Sequence, residues 1–513
     1  MSLGKNLQEL ERIRERYWLA YPATSPTKLR WRALTVRHCF HVLPGQTVLE
    51  IGAGSGIWTR HLSEVLRHEN HITCAVFNHD YACDPRWQTL SSARPVHVKE
   101  LHELPSCSFD YVVGTAILCH TRFEENLREI SRLLKPGGQM LFFENNFWNP
   151  QVLAKSALRL AARCCGYVSS QIGLRKYDLM RAASHSGFTD IDVIPYDLIH
   201  PLLPSFLVRR VQSMAFVIEH APLLKELCGT LYIWARKPGH TATSSARLST
   251  HSQFRKAVSF VIPCHNEEMN IGRLVDAVLT MYGAYVHEMI IVNDNSSDGT
   301  ARVAHALSER DPRIRSIDRN PPNGVGRALR DGCAAATGEY ILMMDCDFVQ
   351  IVPELRDLFD AVAEGYDGAI GSRFTHESIM MNYPFAKILC NRTFHFLANV
   401  ALSCHVHDVS NNLKLYRAEI LKTVGIEQPH FAANAEIGLR PILAGYRIKE
   451  VPISWINRAH DMGASSFYLP TVAPGYVWAL WKLVRSIREL RRASAAERAL
   501  RCARTHEGPT RLK

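Results

Sequence analysis

No run of eighteen uncharged apolar residues occurs in the 513-residue chain, so no segment is expected to span a bilayer. Cys-x-x-Cys is missing as well. The 14 cysteines are scattered without Cys/His ligand spacing, which excludes zinc ribbons and fingers and leaves reduced thiols as the expectation. Even the adjacent Cys164 and Cys165 read as two small apolar side chains on a helix rather than a redox pair. A basic start, an apolar stretch and a small-residue cleavage site are not found at the N-terminus, so a cytoplasmic location is expected. Nucleic-acid-binding motifs are absent too, and the net charge of +11 therefore points to other anions, phospholipids or phosphorylated substrates.

What is present is a strand–turn–helix opening that occurs twice, at Val48–Gly56 (VLEIGAGSG) and at Ser259–Glu267 (SFVIPCHNE). A chain of this length is too long for one core and suits two α/β domains. The first is expected over residues 1–238, closing with the strand-like Leu231–Lys237. A small, polar, aperiodic linker follows over 239–254, then a second domain over 255–492 and a basic tail over 493–513. There is no internal repeat.

In the first half, the short apolar strand Val48–Ile51 runs into Gly52, Gly54 and Gly56, before the helical pattern of Trp58–Arg67. Glycines at such a turn let backbone approach a ligand and aim helix N–H groups at it. Downstream come Glu100 with Leu104-Pro105, then Ser108–Val113, then Leu133–Gly138 leading into a strand. This ordered series resembles the class I S-adenosylmethionine-dependent methyltransferases over about residues 30 to 150, with their Rossmann-like fold. The resemblance implies that Glu50, Gly52, Gly54 and Gly56 line the methionine part, that Glu100 lies beside the adenine, and that Ile117–His120 border the sulfonium and the acceptor. The acidic residue that such enzymes place after the second strand is replaced by Asn78, with Asp80 two residues on. Either Asp80 reaches the ribose through a longer turn or cofactor binding is weakened. His120 is read as lining the pocket more than as a general base. Residues 150–230 carry no motif, so the methyl acceptor is not legible.

In the second half, the buried-type strand Ser259–Pro263 leads into Cys264-His265-Asn266-Glu267, and Met289–Val292 into Asn293–Thr300 (NDNSSDGT). Carboxylates at strand ends over helix starts suit a nucleotide base and ribose. Tyr340–Met344 ends in Asp345-Cys346-Asp347, two hard oxygen ligands that can hold Mg2+ or Mn2+ against a diphosphate. With Gly371–Phe374 and Asp408–Arg417 these motifs resemble glycosyltransferase family 2, with the GT-A fold, over about residues 257 to 470. Within it they are similar to the dolichyl- or polyprenyl-phosphate sugar (mannosyl) synthases.

By that resemblance Pro263, Asn266, Glu267 and Asp294 contact base and ribose, while Asp345 and Asp347 bind the cation and the nucleotide-sugar phosphates. Arg373, Lys414 and Arg417 are the candidate cations for phosphate groups. Asn293 stands where the first acid of the turn is usual, Asn412 where glycine is, and Leu413 where Phe is. Arg458, Gly463, Ser465 and Ser466 complete the pattern.

The implied chemistry is inverting transfer from a nucleotide sugar, GDP-mannose or a UDP-sugar. A lipid-phosphate acceptor is already ionised and needs cations, not a base. A sugar hydroxyl needs a base, for which Asp408 or Glu436 is placed by sequence order, each equally readable as structural. The leading expectation is a bifunctional transferase, peripheral on the cytoplasmic face of a membrane, acting on a lipid-phosphate or glycolipid acceptor. The alternative is a hydroxyl-directed polysaccharide glycosyltransferase whose methyltransferase-like domain only binds. For the membrane, Phe467–Trp481 offers aromatic anchors broken by Pro470, Pro474 and Gly475, followed by Lys482, Arg485, Arg488, Arg491 and Arg492. A packed helix with a solvated basic face fits that segment equally, and Tyr383–Leu402 reads as an amphipathic helix packed on the sheet or near a lipid acceptor.

Overall fold

The computed structural model describes residues 3–118, 123–154, 173–239, 246–381, 383–456 and 472–487. The chain forms two compact units, Met1–Ala246 and Arg247–Lys513.

The first unit is built on strands β1 (Thr47–Ile51), β2 (His71–Val76), β3 (Ala93–His97), β4 (Phe109–Thr115), β5 (Leu134–Asn145), β6 (Thr189–Tyr196) and β7 (Thr230–Arg236). Their order is β3-β2-β1-β4-β5-β7-β6, with β7 antiparallel to β5 and β6. Strand order reverses beside β1, which pairs in parallel with β2 on one edge and β4 on the other. Such a switch point opens a crevice at the strands' carboxyl ends. Helices α1 (Leu3–Ala20) and α2 (Ser25–Phe40) precede the sheet, and α3 (Ile57–Val65) follows the glycine turn. Leu7 and Leu10 of α1 are buried in the same cluster as Leu49, Ile51, Ala75 and Phe77. Leu231–Lys237 closes the unit in sequence, yet as β7 it lies inside the sheet.

The second unit is built on β8 (Val258–Cys264), β9 (Val286–Asn293), β10 (Ile314–Asp318), β11 (Tyr340–Met343), β12 (Gly368–Ser372), β13 (Ile379–Met381), β14 (Lys414–Arg417), β15 (Ile448–Pro452) and β16 (Ser454–Ile456). The main sheet runs β10-β9-β8-β11-β14-β12-β15, with β14 antiparallel to both neighbours, and β13 pairs with β16 in a small second sheet. Strands β8, β9 and β11 are almost wholly apolar and buried, as parallel strands covered on both faces require, whereas the edge strand β10 buries only Ile314. Helices used below are α4 (Ile271–Tyr282), α5 (Val325–Ala335), α6 (Phe385–Leu402) and α7 (Ala432–Leu443).

Two details differ from expectation. The polar stretch after 239 belongs to the second unit from Leu248 onward: its N–H donates to Met281 O at 2.9 Å. The short turn Ser252–Phe254 buries Phe254 against Tyr340 and Phe359, ring centroids 4.9 Å away in both cases. One aromatic anchor has no period, so sequence pattern misses it. Pro474 and Gly475 do not interrupt the helix at 472–487.

Candidate active sites

At the N-terminal site Gly52, Gly54 and Gly56 all have left-handed φ values, +70°, +61° and +82°, which explains glycine at each. Two carbonyls, Gly52 O from this turn and Thr115 O from the end of β4, both accept from the Arg14 guanidinium, the latter at 3.1 Å. At the end of β2 the backbone N–H of Asn78 donates to Glu11 Oε2 at 2.9 Å and its Nδ2 donates to the same oxygen at 2.8 Å. Gly54 N–H donates to Glu11 Oε1 at 3.1 Å, and Ser55 Oγ donates to Glu15. Thus α1 lies across the carboxyl ends of β2, β1 and β4.

Glu50 is buried beneath this turn and accepts from Thr59 Oγ1 at 2.7 Å. Burial pushes its carboxyl up to about 7, with Glu11 and Glu15 adding to the rise and Thr59 and Arg14 opposing it. Asp80 is exposed in the short helix His79–Ala82, whose N-cap is the buried Asn78. Glu100 stands at the turn after β3, beside His102 at 3.3 Å, and opens the short helix Leu101–Glu103. Ile117 and Leu118 N–H both donate to Glu144 Oε1, at 2.8 and 2.9 Å. His120 lies outside the described residues.

At the C-terminal site the turns after β8 and β9 are clipped together. Asn266, in a left-handed conformation with φ +58°, accepts from Ser297 N–H at 2.8 Å, and Glu267 N–H donates to Thr300 Oγ1 at 2.8 Å. Glu267 also accepts from Asn270 Nδ2 at 2.6 Å, at the start of α4. Pro263 is buried inside β8. Asp294 is buried, accepts from Gly324 N–H at 2.6 Å and pairs with Arg319, so it ties β9 to the start of α5. Asn293 is bound to Asp318 through its Nδ2 at 2.8 Å, a contact a carboxylate there would make repulsive.

Asp345 follows β11 and accepts from Asn412 Nδ2 at 2.9 Å. Burial, then the neighbouring Asp347, push its carboxyl up to about 7. A carboxylate held in its proton-bearing form by burial and by a second carboxylate is one that a divalent cation would ionise. This donor set of hard oxygens fits Mg2+ or Mn2+, with diphosphate oxygens completing the shell. Among the described residues no group of three or more His, Cys, Asp or Glu side chains converges as a self-sufficient metal site.

The candidate cations are placed differently from one another. Arg373 forks onto Asp408, Nε to Oδ2 at 2.6 Å and Nη2 to Oδ1 at 3.1 Å, within a wall of Tyr383 and Trp455 rings at 5.8 and 5.6 Å. Lys414 is fully buried and donates to Asn411 O, with burial pulling its ammonium down to about 7. It therefore lies behind the site and is not an exposed phosphate clamp. Arg417 is not in the site: Met343, two residues before Asp345, pairs with Lys414, whereas Arg417 pairs with Tyr340 at the other end of β11. Three residues of strand carry it roughly 10 Å away, where it meets Glu339 at 3.9 Å.

Neither proposed base is available. Asp408 has no exposed surface and is held by Arg373, and buried Glu436 accepts from Glu427 and Gln428 N–H at 2.9 and 2.8 Å. Arg458, Gly463, Ser465 and Ser466 lie outside the described residues.

Residues 259–425 match the model for glycosyl transferase family 2, and residues 49–142 match a methyltransferase domain model. The chain joins a methyltransferase domain to a family 2 glycosyltransferase domain. Over 212 residues the glycosyltransferase domain is 29% identical to polyprenol monophosphomannose synthase of Mycolicibacterium smegmatis, covering 40% of this chain and 78% of that one. Over 205 residues it is 27% identical to dolichol-phosphate mannosyltransferase of Pyrococcus furiosus, covering 39% of this chain and 57% of that one. Identity is also 27% to glycosyltransferase AglD of Haloferax volcanii, of which the chain spans 33%. Among solved structures, glucosyl-3-phosphoglycerate synthase of Mycobacterium tuberculosis with Mn2+ and UDP-glucose aligns at 19% identity and a TM-score of 0.37, over 48% of this chain and 84% of that one. So slight a likeness carries no weight for this site.

Proposed function

We propose that the second domain transfers a hexose from a nucleotide sugar to a lipid-linked phosphate, and that the first methylates a small molecule or glycan with S-adenosylmethionine. The observation that carries the first half is the pairing of Asp345 and Asp347 at a strand end while the two candidate bases, Asp408 and Glu436, are withdrawn from it. Asp408 and Glu436 are both buried and already spent on internal bonds. An acceptor that arrives ionised, a phosphate monoester, asks least of such a site, whereas a hydroxyl needs a proton acceptor. Bound at Asp345 and Asp347, Mg2+ or Mn2+ would neutralise charge on the departing nucleotide diphosphate. Asn266, Glu267 and Asp294 hold the β8 and β9 turns in place for the nucleotide. The similarity to a polyprenol monophosphomannose synthase and a dolichol-phosphate mannosyltransferase supports the same acceptor class and favours mannose as the hexose, with GDP-mannose or a UDP-sugar as donor. The test is a donor screen with GDP-mannose, UDP-glucose and UDP-N-acetylglucosamine against polyprenyl phosphate in Mg2+ or Mn2+. Transfer to a free sugar hydroxyl in preference to polyprenyl phosphate would refute the reading.

A lipid acceptor calls for a lipid-facing surface. No helix among the described residues is long and apolar enough to cross a membrane. One face of α6 buries Ile388, His395, Ala398 and Leu402, while Leu389, Phe396, Leu397 and Val400 are exposed. The helix at 472–487 meets α6 through Tyr476 against Phe394, centroids 5.0 Å apart, and exposes Val477, Trp478, Trp481 and Val484 beside Lys482 and Arg485. Exposed apolar side chains flanked by cations suit an anionic bilayer interface. Replacing Phe396 and Val400 together by Asp should weaken binding to phosphatidylglycerol vesicles by about tenfold or more, and high salt should weaken it further. Unchanged vesicle partitioning in that variant would rule this surface out.

A second reading, in which the first domain binds without catalysis, is favoured by one observation: α1 fills its cleft. For the cofactor itself the cradle fits in kind. Glycine-turn backbone, the carbonyls of Gly52 and Thr115 and the N–H groups of Gly54 and Asn78 offer acceptors for an ammonium and donors for oxygen atoms.

A further inference from the structure

The carboxyl-end crevice of the first domain is filled by charged side chains of its own leading helix. Glu11, Glu15 and Arg14 are 0%, 3% and 6% exposed, on a helix whose alternating charges would otherwise face water. A methyl group added at Gly54 would lie 2.6 Å from Glu15 Oε2, and one at Gly52 3.3 Å from Arg14 Nη1. The polar complementarity is that of a ligand. Carbonyls from the glycine turn and from β4 converge on one guanidinium, as they would on an α-ammonium group. Backbone N–H groups of Gly54, Phe77 and Asn78 converge on one carboxylate, which Asn78 Nδ2 also engages. With these four donors on its roughly four lone-pair sites the Glu11 carboxylate has none left to offer a ribose hydroxyl, so it replaces a ligand rather than awaiting one.

Two further contacts fasten the helix to the same strand end: Asn78 Nδ2 donates to Gln8 O at 3.1 Å, and Arg12 Nε donates to Asn78 Oδ1 at 3.0 Å. An acidic side chain at position 78 would repel Glu11, whereas the Asn amide donates two hydrogen bonds to α1 and accepts one from it. The departure of position 78 from an acid and the seating of α1 are thus one arrangement.

We propose that α1 is an internal occupant of the cofactor cleft, a helix-borne stand-in for a zwitterionic nucleoside, and that S-adenosylmethionine enters only when α1 leaves. The proposal rests on the reading of this domain as a cofactor-binding methyltransferase. Its energetic basis is competition: when only a fraction of molecules have the cleft open, apparent affinity falls by that fraction. The interactions holding α1 at the cleft are chiefly polar ones that water and ligand can replace. Its buried apolar anchors are Leu7, Leu10 and Trp18.

The test titrates the full-length protein with S-adenosylhomocysteine by calorimetry, as unmodified chain and as the Glu11→Gln, Arg14→Ala double variant. The variant should bind at least about tenfold more tightly. Because the variant could also loosen the domain, a second measurement uses the unmodified chain alone. Amide hydrogen exchange across residues 5–20 should speed up at saturating S-adenosylhomocysteine, the reverse of ordinary ligand protection. Equal or weaker binding by a folded variant, or slower exchange in those residues on binding, would overturn the proposal while leaving the cofactor reading intact. Absence of binding by both proteins would overturn the cofactor reading, and the proposal with it.

Discussion

Replacing Asp347 by Asn should lower sugar transfer by about two to three orders of magnitude at saturating donor, because stabilisation of leaving-group charge by a metal is among the larger catalytic contributions. EDTA should reproduce the loss in the unmodified enzyme, and methyl transfer should survive both treatments. The half-buried carboxyl of Asp345 adds a pH signature. Its carboxyl, pushed up to about 7 by burial and then by Asp347, is proton-bearing below that pH in the metal-free protein. A cation must displace that proton, so Mn2+ affinity should tighten as pH rises from about 6 to 8. Isothermal titration at three pH values in two buffers of different ionisation heat measures both affinity and proton release. Sugar transfer that persists in metal-free buffer and in the Asp347→Asn variant would make the Asp-x-Asp structural and remove the mechanism.

The parts of this protein legible in sequence are those whose physics is local. Buried parallel strands such as Val258–Cys264 and Val286–Asn293 show as apolar runs, and the glycine turn and the Asp-Cys-Asp segment carry their chemistry in adjacent residues. What was hidden depends on where a strand points and on what folds back. Arg417 stands three residues from Lys414, yet antiparallel pairing of β14 with β11 carries it away from Asp345. Lys414 itself carries a charge that sequence reading assigns to the surface, but its place opposite Met343 and Ile370 buries it completely. Glu11, Arg14 and Glu15 lie in a run, ELERIRER, indistinguishable from a solvated helix face. Only the crevice more than thirty residues later gives those charges partners. Glu144, which receives the Ile117 and Leu118 N–H groups, has no motif around it at all.

The second large effect expected is on stability, at Asp408. Its carboxylate has no solvent exposure and is held by the fork of Arg373, by Ser410 Oγ at 2.8 Å and by Asn391 Nδ2 at 3.3 Å. His395 lies 3.9 Å away with its Nδ1–H donating to Asn391 O, so Nε2 accepts from Val409 N–H and the ring is neutral. Burial alone would raise the Asp408 carboxyl, but the charge and hydrogen bonds of Arg373 outweigh it and hold the group well below the usual carboxylate range. Asp408→Asn leaves Arg373 buried without its counter-charge and should destabilise the second domain by about 3 to 5 kcal/mol. The sign of the pH dependence follows. A carboxyl whose folded value is depressed contributes stability that is fully present above its unfolded value, near 3.8, and is lost as pH falls through the folded value. The unmodified domain should therefore lose this contribution only in acid, while Asp408→Asn should lack it at neutral pH and show a flatter acid-unfolding profile. Guanidinium unfolding of the full chain, followed through the transition of the second domain at pH 7 and at pH 3, measures both effects. An Asp408→Asn variant that unfolds at the same guanidinium concentration as the unmodified protein at pH 7 would show that the Arg373 fork contributes nothing net to the fold.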